Sequence, residues 1–210
     1  MASPAEERIR VAAEARLRRA YPTARIVHEL VVGACRLDLA VVEEDRLVMV
    51  EIKSERDTLT RLPSQLAAAL QVTPLVTVYA AEKHRDDLHA MRSLPRDPRF
   101  LPDLARATVL VEAGEKFDLL SSPFASFDPI IAPQRMWHLM WAAEMRVALS
   151  RRTGGGPSQY QNLPISKMTR LAVELMSGRE IRRAVCAALR ERHFPRADPP
   201  ASMKEATRAA

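Results

Sequence analysis

Cysteine is scarce in this chain: Cys35 and Cys186 are the only two among 210 residues. Two are too few for a disulfide framework or a cysteine-built zinc site. No apolar run approaches the ~18 residues that a membrane-crossing helix needs. The longest clean runs are as short as residues 74–81. The first residues alternate acidic and basic side chains and hold no signal-peptide core. His28, His84, His89, His138 and His193 are dispersed and share no ligand spacing. The run Gly154-Gly155-Gly156-Pro157 lacks a following Lys-Ser/Thr and is not a P-loop. No internal repeat is visible. Secreted, membrane and zinc-finger readings are thereby disfavoured, and the expected compartment is a reducing cytoplasm.

What is present is a globular composition, 47% hydrophobic and 28% charged. The length predicts one domain, or one domain with a helical extension. The net charge of +6 is unevenly placed. Residues 1–125 carry 18 Lys/Arg against 19 Asp/Glu, whereas residues 126–210 carry 14 against 7. A basic block beside a neutral one suggests a polyanionic partner, nucleic acid first among them. The alternative is an Arg-rich composition with no partner.

Hydrophobic periodicity predicts a helix over 5–20 and strands over 25–32, 36–42 and 46–53. Further along it predicts a helix over 63–71, a strand over 75–80, a short polar helix over 83–91 and a strand over 108–112. Residues 94–103 carry three prolines and read as loop. One long helix is expected over 133–152, with Met136, Leu139, Met140, Ala143 and Val147 on one face. A linker follows at 153–157, then helices over 166–176 and 179–193, with a frayed end from Phe194. The fold class is α/β with a mixed sheet: a helix, a three-stranded meander, a helix, a strand, then more helices. The division is a core over 1–125 and a basic helical extension over 126–210.

The informative stretch runs from Arg36 to Lys53. A two-residue loop at Glu44-Asp45 pairs Glu43 with Arg46, and counting back sets Asp38 directly opposite Glu51. Their Cβ atoms would stand about 4.5–5.5 Å apart on one face. Lys53, two residues past Glu51, points the same way. Ile52 points to the other face, where Leu37, Leu39, Val48 and Val50 pair. Facing carboxylates repel unless something separates their charges. A divalent cation fits that gap, because Mg²⁺ takes hard oxygen ligands such as carboxylates and water. A lysine beside it can hold a water and stabilise developing negative charge. The alternative is an exposed hairpin face with solvated charges, but Leu39, Val48 and Val50 surround a compact charged cluster.

Asp38 followed by Glu51-Ile52-Lys53 resembles the PD-(D/E)XK nuclease superfamily. The order helix, three strands, helix, strand resembles its restriction-endonuclease-like core. The run Glu51-Ile-Lys-Ser-Glu-Arg-Asp-Thr-Leu-Thr-Arg-Leu-Pro-Ser-Gln65 is similar to small bacterial and phage members of that group. The resemblance covers about residues 5–112. One departure is Ala69, where the family's glutamine is often followed four residues later by tyrosine. The resemblance implies that Asp38, Glu51 and the Ile52 carbonyl bind Mg²⁺ or Mn²⁺, that Lys53 positions the attacking water, and that Gln65 assists. It also implies a first-helix glutamate near the metal. Glu6 shares the face of Ile9 and Ala13 and suits that role better than Glu7. A simple helix N-terminal glutamate is the alternative. Glu29, on the first strand, ranks below Glu6.

Arg179, Arg182, Arg183 and Arg190 share one short helix and are the candidate phosphate contacts, a solvated face being the alternative. Trp137 and Trp141 read as core. The expectation is a metal-dependent nuclease acting on DNA, with RNA as the other nucleic acid, no membrane, and a second copy of the chain as a further partner. The alternatives are a catalytically idle nuclease-fold module that binds nucleic acid or protein, and a helical interaction protein whose C-terminal part is the working half.

Overall fold

The computed structural model describes residues 4–93, 101–114, 116–123 and 133–201. The expected boundary between residues 125 and 126 and most of the expected loop over 94–103 lie outside the described residues. Among the described residues, six strands form one mixed sheet whose spatial order is the order of the sequence. Helix α1 (Pro4–Ala20) precedes strands β1 (Arg25–Val32), β2 (Cys35–Val42) and β3 (Leu47–Lys53), which pair antiparallel as a meander. Helix α2 (Leu62–Leu70) leads to β4 (Val76–Ala80), and α3 (Arg85–Ser93) leads towards β5 (Thr108–Ala113). A helix between two strands lets the chain return to the starting edge, so β3, β4 and β5 run parallel. A sixth strand, β6 (Lys116–Ser121), closes the sheet antiparallel to β5. It was not expected from the sequence. Lys116, Asp118 and Leu119 are exposed, so this edge strand lacks the apolar density that marks a buried one.

Each face of the sheet is covered. Ile9, Ala13 and Leu17 of α1 pack against Leu39, Val41, Val48, Val50 and Ile52. The other face packs Val42, Leu47, Met49, Val76 and Val78 against Leu62 and Leu66 of α2 and Leu88 of α3. That second layer continues into α4 (Pro133–Trp137), α5 (Ala142–Thr153), α6 (Ile165–Leu175) and α7 (Gly178–Glu191). Trp137, Met145, Leu149, Met168, Ile181, Val185 and Leu189 are all buried in it. One hydrophobic core therefore spans both segments of the chain.

The single helix expected over 133–152 is broken between α4 and α5. The Glu144 carboxylate accepts the Trp141 N–H at 2.6 Å and starts a new helix there. The break turns Val147 outward and makes Met145, Leu149 and Ser150 the buried residues of α5. Trp137 is core as expected, but Trp141 is exposed, with the Arg192 guanidinium 4.4 Å over its ring. The expected linker is a helix end: Gly154 adopts φ 76° and donates to the Ser150 carbonyl at 2.9 Å. Ser177 and Glu180 form a capping box that starts α7.

Of the end expected to fray from Phe194, residues 194–201 are described and are tied to the sheet, and the rest lies outside the described residues. Asp198 N–H donates to the Ile26 carbonyl at 2.9 Å, and Ile26 N–H donates to the Asp198 carboxylate at 3.0 Å. Val27 bridges Ala197, so the tail covers the free edge of β1. Arg25, buried beneath it, donates to the carbonyls of Leu189, Arg190 and Arg192 at 2.9, 2.8 and 2.7 Å. A cation at the C-terminal end of α7 satisfies carbonyls that have no partner within the helix.

Removing residues 154–210 is expected to unfold the protein. It deletes Met168, Ile181, Val185 and Leu189 from the core, each contributing about 1.5–3 kcal/mol. That sum is comparable with the ~5–15 kcal/mol net stability of a typical domain. Loss of a cooperative thermal transition in the 1–153 fragment is the expected readout; a fragment melting near the full chain would show two independent cores.

A second expectation concerns His28, whose backbone N–H donates to the Arg196 carbonyl at 3.0 Å. Burial, then the neighbouring Arg196 and Arg10 guanidiniums, push its pKa down to about 4. Between that value and the ordinary ~6.5 the unfolded chain takes a proton that the native protein refuses. Stability from this group is full above the unfolded value and falls as pH drops towards 4, by about 2–3 kcal/mol at most. His28→Gln should flatten that slope in urea titrations between pH 7 and 4.5; an unchanged slope would contradict it.

Candidate functional site

The β2–β3 ladder pairs Val42 with Leu47 and runs to Leu39 opposite Val50, the register expected from the loop length. Glu43 N–H closes the turn on the Arg46 carbonyl at 2.9 Å. Past Val50 the strands part. The Asp38 carboxylate enters the gap and accepts the Ile52 N–H at 2.8 Å, where a β2 carbonyl would otherwise stand. Alternation along β3 sends the Ile52 carbonyl to that same edge.

The parting coincides with an irregularity in the neighbouring pair of strands. In the β1–β2 pairing, His28 faces Leu39 and Leu30 faces Leu37, while Glu29 between them is unpaired with φ 57°. That left-handed geometry strains a side chain other than glycine and concentrates at functional sites. It also shifts which face each residue uses. Val27, Leu30, Leu37 and Ala40 all join the layer of α2, although strict alternation would send Leu30 and Leu37 to the layer of α1. Leu37 therefore does not share the face of Leu39, Val48 and Val50, contrary to expectation. Glu29 itself is exposed, pairs with Arg36 at 3.4 Å and stands apart from the cluster.

Glu51, Lys53 and Gln65 meet under α2. Lys53 Nζ donates to Glu51 Oε1 at 2.7 Å and to Gln65 Oε1 at 2.7 Å, and Gln65 Nε2 donates to the same Glu51 oxygen. Glu51 is 3% exposed and Lys53 2%. The second carboxylate oxygen, Glu51 Oε2, is buried with no hydrogen-bond partner. Burial, then the charge of Asp38, raise the Glu51 pKa to about 7 against the pull of Lys53 and Gln65. Asp38 is also pushed up by burial, opposed by the Ile52 N–H, Arg10 and Lys53. An orphaned buried carboxylate oxygen beside a second carboxylate offers hard oxygen donors of the kind that a divalent cation can take. Asp38, Glu51 and the Ile52 carbonyl thus fit such an ion, with the remaining positions left to water. Among the described residues no cluster of three or more His, Cys, Asp or Glu is arranged to hold a metal.

Glu6 approaches from the other layer but does not act alone. Its carboxylate accepts from Arg10 Nη2 at 2.8 Å, and that nitrogen lies 3.6 Å from Asp38 Oδ1. Arg10 was missed in the sequence. Its spacing from Glu6 signals an ion pair on a helix, but that spacing is equally common on solvated surfaces. Its burial is visible only once α1 is laid on the sheet. The turn leaving Lys53 was missed as well. Ser54 N–H and Oγ donate to the Asp57 carboxylate at 2.7 and 2.6 Å, and His84 Nε2 lies 3.0 Å from the Ser54 carbonyl. Ala81 N–H donates to the Lys53 carbonyl at 2.8 Å. These bonds fix the end of β3 and with it the direction of Lys53.

The arginines of α7 lie elsewhere. Arg179, Arg182 and Arg183 are exposed and Arg190 is half-buried. Arg179 and Arg183 flank Asp45 at 3.7 and 4.0 Å, beside the β2–β3 turn. At ~3.3 Å per residue, that turn stands roughly 20 Å along β3 from the carboxylates. The structure does not bring these arginines to the site. Closer in sequence to it, Arg56 and Arg61 are exposed in the segment between β3 and α2.

No curated protein and no solved structure matches the chain. A family model described as Bacteriophage P4 protein cII matches residues 4–94. The matched stretch is less than half of the chain. It runs from α1 to the end of α3 and contains Glu6, Arg10, Asp38, Glu51, Lys53 and Gln65; over that stretch the chain is similar to a bacteriophage protein family.

Proposed function

We propose that the protein is a metal-dependent nuclease of the PD-(D/E)XK type, with a restriction-endonuclease-like core, acting on DNA. The observation that carries this reading is the buried Glu51 with its unpartnered Oε2, set beside Asp38 and bound to Lys53 and Gln65. The likeness to a bacteriophage protein family agrees with a phage origin and carries no information on nuclease activity.

Asp38, Glu51 and the Ile52 carbonyl would hold Mg²⁺ or Mn²⁺, and the ion would supply Lewis-acid activation of water and of a phosphodiester oxygen. The chain's own groups do the rest. The Lys53 ammonium has three protons, two of them taken by Glu51 and Gln65. The third is left to hold a water or to meet negative charge growing on a phosphate. Gln65 orients both partners at once, which keeps the lysine from swinging away from Glu51. Glu6 acts at one remove, through Arg10. Exposed Arg179, Arg182 and Arg183, remote from the carboxylates, would hold phosphates further along a bound duplex. At ~3.4 Å per base pair the ~20 Å separation spans about six pairs.

A second reading is favoured by the burial of Lys53 and Glu51 and by the Arg10 cation beside Asp38. It is the same fold with the site idle, binding nucleic acid or protein. Cleavage of DNA in Mn²⁺ decides between the two.

Asp38→Asn should keep the Ile52 N–H bond and the fold yet abolish cleavage. Lys53→Met should keep the fold and lower the rate on the order of 10²-fold or more. Glu51→Ala differs, because it strands the buried Lys53 ammonium without its counterion and should lower the melting temperature. Full cleavage by Asp38→Asn or Lys53→Met would contradict the assignment.

Replacing Arg179, Arg182 and Arg183 together by Gln should flatten the slope of log DNA affinity against log salt by up to about 2.7, at ~0.9 per phosphate contact. An unchanged slope would place the phosphate contacts elsewhere, with Arg56 and Arg61 the next to test.

A further inference from the structure

Arg10 is a buried guanidinium in a helix that otherwise contributes apolar residues to its layer. It is 2% exposed. Its Nη2 contacts Glu6 at 2.8 Å and Asp38 at 3.6 Å, while Nε stands 3.9 Å from Glu7. Nε and Nη1 are buried with no hydrogen-bond partner. A buried cation with two unsatisfied donors is costly unless carboxylates hold it. Here they do: a chain of charges runs from Glu6 through Arg10 to Asp38, the residue that also stands beside Glu51.

This placement gives Asp38 two possible counter-cations. One is a divalent ion shared with Glu51. The other belongs to the chain and is already there. We propose that Arg10 is a resident cation that competes with the divalent metal for Asp38, latching the metal-free site through Glu6–Arg10–Asp38. The inference rests on the metal-site reading above. It makes Arg10 a positioning residue: it holds Asp38 when no metal is bound, and its positive charge opposes the arrival of another. Arg10 reaches Asp38 from α1, whereas Glu51 and Lys53 are bonded to Gln65 of α2. Asp38 sits between the two, in the gap where β2 and β3 part.

The two roles pull measurements in opposite directions. An arginine that is only structural lowers stability when replaced and leaves metal affinity unchanged or reduces it. A competing cation lowers metal-free stability when replaced but raises metal affinity. The test uses the full chain with Mn²⁺ alone, titrated by calorimetry and by the paramagnetic resonance of free Mn²⁺, beside thermal unfolding in chelator. Arg10→Gln removes the charge, Arg10→Met replaces it by an apolar side chain that needs no partner, and Arg10→Lys keeps a charge with fewer donors.

The expected result is Mn²⁺ binding at least about tenfold tighter in Arg10→Gln or Arg10→Met, a change of about 1.4 kcal/mol. Arg10→Lys should fall between them and the parent, and both neutral variants should melt lower in chelator. If a neutral variant unfolds in chelator, refolding by Mn²⁺ supports the latch, since one cation then replaces the other. Unchanged or weaker Mn²⁺ binding, or a variant that stays unfolded with Mn²⁺, overturns the latch and leaves the metal site standing. Absence of Mn²⁺ binding in parent and variants alike overturns both.

Discussion

Glu51 lies in β3, one of the two central strands of the sheet, almost sealed from solvent, with one oxygen bound and the other bare. A buried carboxylate disfavours its own charge, and a second carboxylate nearby disfavours it further. Both effects raise its pKa to about 7. The surrounding structure answers that problem. Lys53 and Gln65 saturate Oε1, the turn through Ser54 and Asp57 fixes the lysine's strand end, and Arg10 neutralises Asp38 from the opposite layer. The bare Oε2 is what this arrangement leaves open, and under the proposed function a divalent cation would complete it.

The fold supplies the opening through a defect in an otherwise regular meander. Were β2 and β3 to stay paired, Ile52 N–H would meet a main-chain carbonyl and Asp38 would have no reason to enter the gap. The unpaired Glu29, in left-handed geometry, turns β1 and β2 by one face just where the gap begins. Strain of roughly 1–3 kcal/mol at such a residue persists only when packing on both sides overdetermines it. Here Val27 and Leu30 are both buried in the same layer on either side of it. The C-terminal helices matter to the same end, because their core is continuous with that layer and their tail covers the edge of β1.

Much of this is legible in the sequence, for reasons that can be named. The register of a hairpin follows from its loop length, so Glu44-Asp45 alone is enough to place Asp38 near Glu51. Gln65 is legible only through the family resemblance carried by the stretch from Glu51 to Gln65. Arg10 is not legible, because a Glu–Arg spacing of four residues looks the same on a wet face and on a buried one. The switch of faces at Glu29 is hidden too, since nothing in Val-His-Glu-Leu marks a left-handed residue. β6 escapes because an edge strand needs no continuous apolar run. Arg25 reads as a surface charge until the end of α7 arrives above it. The arginines of α7 show the opposite error: a basic helix is plain in the sequence, but its position at the far end of β3 depends on tertiary packing.

The most direct measurement is anomalous diffraction from crystals of the full chain soaked in Mn²⁺. One peak is expected within about 2–2.5 Å of Glu51 Oε2 and an Asp38 oxygen, on the edge of β3 that carries the Ile52 carbonyl. The absence of a peak between Asp38 and Glu51, with Mn²⁺ bound only elsewhere or not at all, would contradict the central claim.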